Sequence, residues 1–211
     1  MLNSSDDGPA LKSGRRIVPN PRFYPLQSPM LQRDLQHVLH ARTLALIDRT
    51  ASLTRPLDPE QLVRRPSNGG WSVGHVLEHL CVTSELYEPP IRQLLQSARR
   101  DAAAALRPWK PTLVGKLTVN MFERPMRMST PKRMAPAASP RGSVVESFLA
   151  HQRTLTALLD EASGFDWRRL RMSSPVVRLP LRFNLGDVFS ILVVHAERHA
   201  RQMERVVVET S

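Results

Sequence analysis

A chain of 211 residues with 41% hydrophobic positions is long enough to bury one well-packed core and short for two. Its single cysteine, Cys81, excludes an intrachain disulfide and any cysteine-built zinc cluster. The net charge of +11 is concentrated, since residues 99–141 hold ten Lys or Arg against Asp101 and Glu123, which is +8 of the total.

That charge sits in a Pro-rich connecting segment rather than along a helix that could enter a groove, which argues against a nucleic-acid partner. No apolar run approaches the roughly 18 residues of a membrane helix, so no membrane span is expected. Residues 1–13 are polar and acidic, without the apolar core of a signal peptide, and the cytoplasm is the expected compartment. Aromatic residues make up only 5%, so the core should be built from Leu, Val, Ala and Met.

Residues 1–27 mix Gly, Pro, Ser and charge without periodicity and read as an extended or disordered arm, with Phe23 and Tyr24 as points of attachment to a domain over 28–208. Ser28-Pro29 has the pattern of an N-cap followed by proline at the first helical position. Leu31, Leu35, Val38, Leu39, Ala45 and Leu46 then repeat at helical spacing to about Ala51, with His37 and His40 beside the apolar stripe. Asp58-Pro59-Glu60-Gln61 starts a short helix that Pro66 must end, and Asn68-Gly69-Gly70 makes a turn. Ser72 caps a second long helix packed through Val73, Val76, Leu77, Leu80 and Ser84, which Pro89-Pro90 should kink or restart.

From 101 to 140, six prolines (Pro108, Pro111, Pro125, Pro131, Pro136 and Pro140) forbid a long helix and leave room for a short one over 112–122. A connection this long usually has a job, such as a lid or a crossover. Ser143 with Glu146 predicts a capping box for a third long helix, carrying Phe148, Leu149, Leu155, Leu158 and Leu159 and ended by Gly164. Residues 173–183 read as extended, interrupted by Pro175 and Pro180. Asn184 with Asp187 is another such start, for a last helix through Val188, Ile191, Leu192, His195, His199, Gln202, Met203, Val206 and Val207.

Four amphipathic helices with one long break predict an all-α fold, a four-helix bundle with a long Pro-rich crossover between its second and third helices. Short links make helices 1 and 2 antiparallel, and likewise 3 and 4. A crossover spanning the bundle then makes helix 2 parallel to helix 3 and antiparallel to helix 4.

His195 and His199 stand four residues apart on the last helix, one above the other and about 6 Å apart in rise, so both can reach one metal ion. The pair fits two surface or satisfied core histidines equally well. A third nitrogen from elsewhere would make an open three-ligand site, the arrangement of a catalytic metal. His79 lies about 10 Å along helix 2 from its cap, and the histidine pair about 15 Å before the end of helix 4. In an antiparallel pair those levels nearly coincide.

Trp71-Ser72, Glu78-His79-Leu80, Ser174-Pro175, Leu181-Arg182-Phe183-Asn184-Leu185-Gly186-Asp187 and His195-Ala196-Glu197-Arg198-His199 with Gln202 together resemble the second subgroup of the DinB-like (DNA-damage-inducible) bundle proteins. The resemblance covers roughly residues 30–208. It implies an up-down-down-up bundle, commonly a homodimer, in which His79, His195 and His199 bind a divalent metal, zinc or nickel. It also implies kinship with transferases or isomerases that use low-molecular-weight thiols as cosubstrates. Relatives often carry Glu three residues after the helix 2 cap, where this chain has His75; its expected place is the surface at the helix terminus.

Three neutral imidazoles would leave the ion's charge uncancelled, favouring anions and lowering the pKa of a bound water or thiol. The expected function is therefore activation of a small thiol or water for transfer, isomerisation or hydrolysis of a small-molecule substrate. The basic crossover would attract an acidic one. No general base is legible: Glu78 and Glu197 adjoin ligands but point away, and Glu78 reads as solvated or as a partner of a ligand. Gln202, one turn past His199, is a candidate hydrogen-bonding partner of that ligand. His151 is a candidate for the cleft wall, against the plainer reading of a polar core-edge residue. Cys81 reads as a small buried packing residue. The alternatives are a non-catalytic metal-binding stress-response bundle, and a nucleic-acid or membrane-surface binder acting through residues 99–141.

Overall fold

The computed structural model describes residues 29–124, 129–176 and 181–211. The expected arm over 1–27, with Phe23 and Tyr24, lies outside the described residues, as do Ser28, Pro125 and Pro180. The elements are β1 (Met30–Leu31), α1 (Gln32–Thr54), α2 (Pro59–Val63), α3 (Val73–Ser97), β2 (Pro108–Trp109), α4 (Leu113–Glu123), α5 (Val144–Glu161), β3 (Arg171–Ser173), β4 (Arg182–Asn184) and α6 (Leu185–Thr210).

The long helices α1, α3, α5 and α6 form a helical bundle in which α1 and α3 each pack against both α5 and α6, while α4 lies on α6. Arg42 pairs with Glu197 and Arg49 with Glu204, so α1 and α6 advance in the same direction. Trp71 lies against His199 and His79 against His195, so α3 runs opposite to α6. His151 bonds Glu88 while Glu161 reaches Arg92, so α3 and α5 run the same way.

Apolar residues at helical spacing produce two adjoining clusters. One contains Leu35, Leu39, Ile91, Leu95, Leu158, Trp167, Phe189 and Val194, and the other Leu46, Val76, Leu77, Phe148, Ala196 and Met203. Each such side chain, fully buried, contributes about 1.5–3 kcal/mol. His195 falls between Val194 of the first cluster and Ala196 of the second.

Four helix starts follow the local code. Asp58 and Gln61 form a reciprocal capping box, as do Asn184 and Asp187, the Ser72 hydroxyl accepts from the His75 amide, and the Thr112 hydroxyl accepts from the Gly115 amide. Two do not. The first long helix starts at Gln32 rather than behind Ser28-Pro29, because Met30 and Leu31 are drawn into antiparallel pairing with Trp109 and Pro108. The Gln32 amide then donates to the Arg107 carbonyl. Ser143 makes no side-chain cap and has φ −98°, ψ 31°, outside the extended region that a capping serine needs. The physical cause is Arg141: its backbone amide and guanidinium both bond Glu78, and the chain enters α5 through a turn from the Arg141 carbonyl to the Val144 amide. Pro89 and Pro90 lie inside α3, which runs on to Ser97 without restarting.

The segment between α3 and α5 is firmly attached to α6. Trp109 is buried and donates its indole N–H to Asn184 Oδ1 at 3.0 Å. A Cβ at Gly186 would stand 2.1 Å from that indole nitrogen, so only glycine permits the approach. Asp187 accepts from the Thr112 amide and hydroxyl at the start of α4, and Arg198 donates to the Arg124 carbonyl just past its end. Residues 171–173 and 182–184 pair as antiparallel strands, at the two ends of the stretch 173–183 that reads as extended. No helix among the described residues is long and apolar enough to cross a membrane.

Candidate metal centre

The Asn184–Asp187 box starts α6, and the helix carries His195 and His199 inward on one face. Ser72 starts α3 and sets His79 two turns in. Between these antiparallel helices the three imidazoles meet. His195 Nε2 lies 3.2 Å from His79 Nε2 and 3.1 Å from His199 Nε2. The cluster is buried, with His199 the member that keeps some exposure.

The far nitrogens decide what the near ones can do. His79 Nδ1 lies 2.6 Å from the Met134 carbonyl, which can only accept, so Nδ1 carries the proton and Nε2 presents a lone pair. His199 Nδ1 lies 2.8 Å from Gln202 Oε1, with the same consequence. Burial pushes all three imidazoles below their ordinary pKa, His199 to about 3 and His195 well below its usual value, the neighbouring histidines adding to the effect for those two. They are neutral bases at neutral pH, the form that binds metal.

Two nitrogens on one tetrahedral zinc, each bonded at about 2.0–2.1 Å, stand about 3.3 Å apart. The two separations at His195 are close to that. A single proton on His195 Nε2 could satisfy only one of the facing lone pairs, whereas one cation satisfies all. The donor set therefore fits a divalent ion such as zinc or nickel, with at least one position left open.

The histidines stand in the wall of a cleft of about 910 Å³. Trp71 packs over His79 and His199 at centroid distances of 5.0 and 6.3 Å, and Phe122 of α4 over His195 at 5.0 Å. Tyr87, Phe183 and Leu192 line the apolar part, and Arg198, Gln202 and Arg205 another.

The remaining sequence candidates fall as follows. Gln202 bonds His199. His151 bonds Glu88 at 2.7 Å, on the α3–α5 side, and is not among the residues lining the cleft. His75 is not at the surface: it is buried, with Nδ1 2.7 Å from Ser72 Oγ and Nε2 3.0 Å from the Ala138 carbonyl. The reason is the connecting segment, whose Pro140 packs on Gly74 and covers the first turn of α3. Glu78 is not solvated either; it is buried and holds Arg141 through both carboxylate oxygens. Glu197 points away from the site to Arg42. Cys81 is a buried packing residue whose thiol burial pushes up to about 12, which removes it as a nucleophile. Sequence reasoning missed the Met134 carbonyl, for which no residue-type signal exists, and the covering role of Phe122, whose place on a short amphipathic helix was its one clue.

No curated protein and no solved structure matches the chain. A family model described as the DinB superfamily matches residues 42–203, a span that contains all three histidines, the whole of α3 and most of α6. By that match over most of its length, the protein belongs to the DinB superfamily.

Proposed function

We propose that the cleft is the active site of a metal-dependent enzyme, in which His79, His195 and His199 hold zinc or nickel and a small thiol or water is activated for transfer, isomerisation or hydrolysis. The observation that carries this reading is the convergence of three neutral Nε2 atoms on the wall of a cleft of about 910 Å³, large enough for a small-molecule substrate. A divalent ion there supplies a Lewis acid with an open position, which lowers the pKa of a coordinated water or thiol. An ion serving only to tie α3 to α6 would need no such cleft.

The chain's own part is to fix and shield. The Met134 carbonyl and Gln202 hold the tautomers of His79 and His199. Trp71 and Phe122 keep water from the ring faces. Tyr87, Phe183 and Leu192 offer an apolar surface, and the guanidinium groups of Arg198 and Arg205 add positive charge along the same cleft. This favours a substrate with an apolar body and an acidic group, beside a low-molecular-weight thiol cosubstrate. In this reading the bundle is of the up-down-down-up type, and its 101–140 crossover closes the site by supplying Phe122 and the Met134 carbonyl. A homodimer would cover Leu113 and Leu117, which stand one turn apart on α4 and are 74% and 60% exposed.

The test is elemental analysis of purified protein beside His79→Ala, followed by binding assays with small thiols on the loaded protein. The expected result is one divalent ion per wild-type chain, loss of it in the variant, and thiol binding only when metal is present. Equal metal in both proteins, or none in either, overturns the site. Metal binding without any thiol or substrate binding leaves a non-catalytic metal bundle.

A further inference from the structure

Two of the three histidines have a visible acceptor for the nitrogen that faces away from the cluster, and the third does not. Among the described residues, no hydrogen bond is made by His195 Nδ1. Yet His195 uses Nε2 toward His79 and His199. To present a lone pair there it must carry its proton on Nδ1, which is not one of the sealed orphan atoms, and an N–H in a ring this buried pairs with the protein or with water.

One acceptor nearby lacks a donor. Gln152 of α5 is 3% exposed, and its Oε1 is a buried polar atom without a hydrogen-bond partner. An orphaned buried amide oxygen bears its full desolvation penalty, so native structures rarely keep one without a water. Gln152 and His195 line the same small cavity between α3, α5 and α6, together with Thr83, Leu155 and Leu192. Its volume is about 20 Å³. One water needs about 10–15 Å³ on that measure and two to four polar partners. A cavity of this size has room for one water.

We infer that this cavity binds one structural water, which accepts from His195 Nδ1–H and donates to Gln152 Oε1, making Gln152 the positioning residue for the third metal ligand. The water's second hydrogen has a ready acceptor. The Thr83 hydroxyl already donates to the His79 carbonyl at 2.8 Å and keeps its lone pairs. All three partners are then satisfied at once: the orphaned amide oxygen, the histidine N–H and the water itself. The bridge also gives α5, which carries no ligand, a link to the site. Metal-binding histidines as a rule donate their other N–H to a carboxylate, carbonyl or water, and loss of such a partner weakens metal binding about 10–100-fold.

The inference rests on the metal reading of the three histidines, and the experiment separates the two. Zinc affinity is measured by competition with a chromophoric chelator for the full-length wild type, Gln152→Leu and Gln152→Glu, beside a crystal structure of the wild type that resolves ordered water. The expected results are a water within hydrogen-bond distance of Gln152 Oε1 and His195 Nδ1, zinc binding about 10–100-fold weaker in Gln152→Leu, and wild-type or tighter binding in Gln152→Glu, whose carboxylate restores the acceptor. Wild-type affinity in Gln152→Leu, equal loss in both variants, or a dry cavity overturns it. If Gln152→Leu does not fold, Gln152→Glu and the crystal structure decide. A wild type that binds neither zinc nor nickel sinks the metal reading, and the water is then judged from the crystal structure alone.

Discussion

Helix α3 is gripped on two sides by polar groups of opposite character, and two consecutive residues begin the two grips. Glu78 turns toward the start of α5, where it holds Arg141, which also reaches Glu85; one turn past Glu85, Glu88 holds His151. Every group there has a partner of opposite charge or hydrogen-bonding sense, and the cluster closes a seam. His79 turns toward α6, where His195 lies 3.2 Å from it and 3.1 Å from His199, three bases of the same kind with no donor able to serve all of them. Buried polar groups are normally paired. A satisfied cluster needs nothing more than the fold, whereas an unsatisfied one beside a cleft calls for something from outside the chain. That contrast, rather than the presence of histidines as such, distinguishes the candidate metal site from structural polarity.

The comparison breaks most sharply at the histidines. His195→Ala should abolish tight zinc or nickel binding. The thermal stabilisation that metal gives the wild type, about 2.7 kcal/mol at a hundredfold excess over Kd, should vanish with it. Calorimetric scans with and without metal check this. A stabilisation of equal size in the variant would move the ion elsewhere.

On the other seam, Arg141→Ala leaves Glu78 buried without its counter-ion. The expected cost is about 2–4 kcal/mol in urea unfolding, toward the low side of what breaking a buried pair costs because Arg141 is itself a third exposed. Metal affinity should stay within about threefold of wild type, since a chelator titration reads only the α6 side. Comparable losses in both measurements would mean that the two seams are one unit.

A smaller change sharpens the role of the outer partners. Gln202→Leu removes the acceptor of His199 Nδ1 and should weaken metal binding about tenfold while leaving unfolding in the metal-free state nearly unchanged. An unaltered affinity would reduce Gln202 to a bystander.

The smallest effect is the share of the pH dependence that the charged seam carries. The hydrogen bond to Glu88 raises the His151 pKa above the ordinary 6.5, burial opposing it. The stability this contributes is therefore fully present below about pH 6.5 and is lost as pH rises through the folded-state value. Stability measured by unfolding across that window should rise less with pH in the wild type than in His151→Gln. Both share the opposite rise from the depressed pKa of His79, His195 and His199, and only the wild type carries the His151 loss. An identical slope in the variant would assign it to another group.

What the amino-acid sequence determined by itself was local. Helix periodicity, the Asp58–Gln61 and Asn184–Asp187 boxes, the Ser72 and Thr112 caps and the i, i+4 placement of His195 and His199 all depend on atoms within one or two turns. The level of His79 against that pair could be counted along two helices, and the family resemblance selected the same three residues. Where a local signal failed, a distant contact had displaced it. Ser143 lost its cap because Arg141 answers to Glu78, 63 residues away. His75 went under the connecting segment, which Ala138 and Pro140 carry across α3. Only the tertiary structure could decide which groups hold the far nitrogens of the ligands. A backbone carbonyl such as that of Met134, or an amide oxygen left orphaned at Gln152, has no signature in residue type and takes its meaning entirely from what the packed helices bring against it.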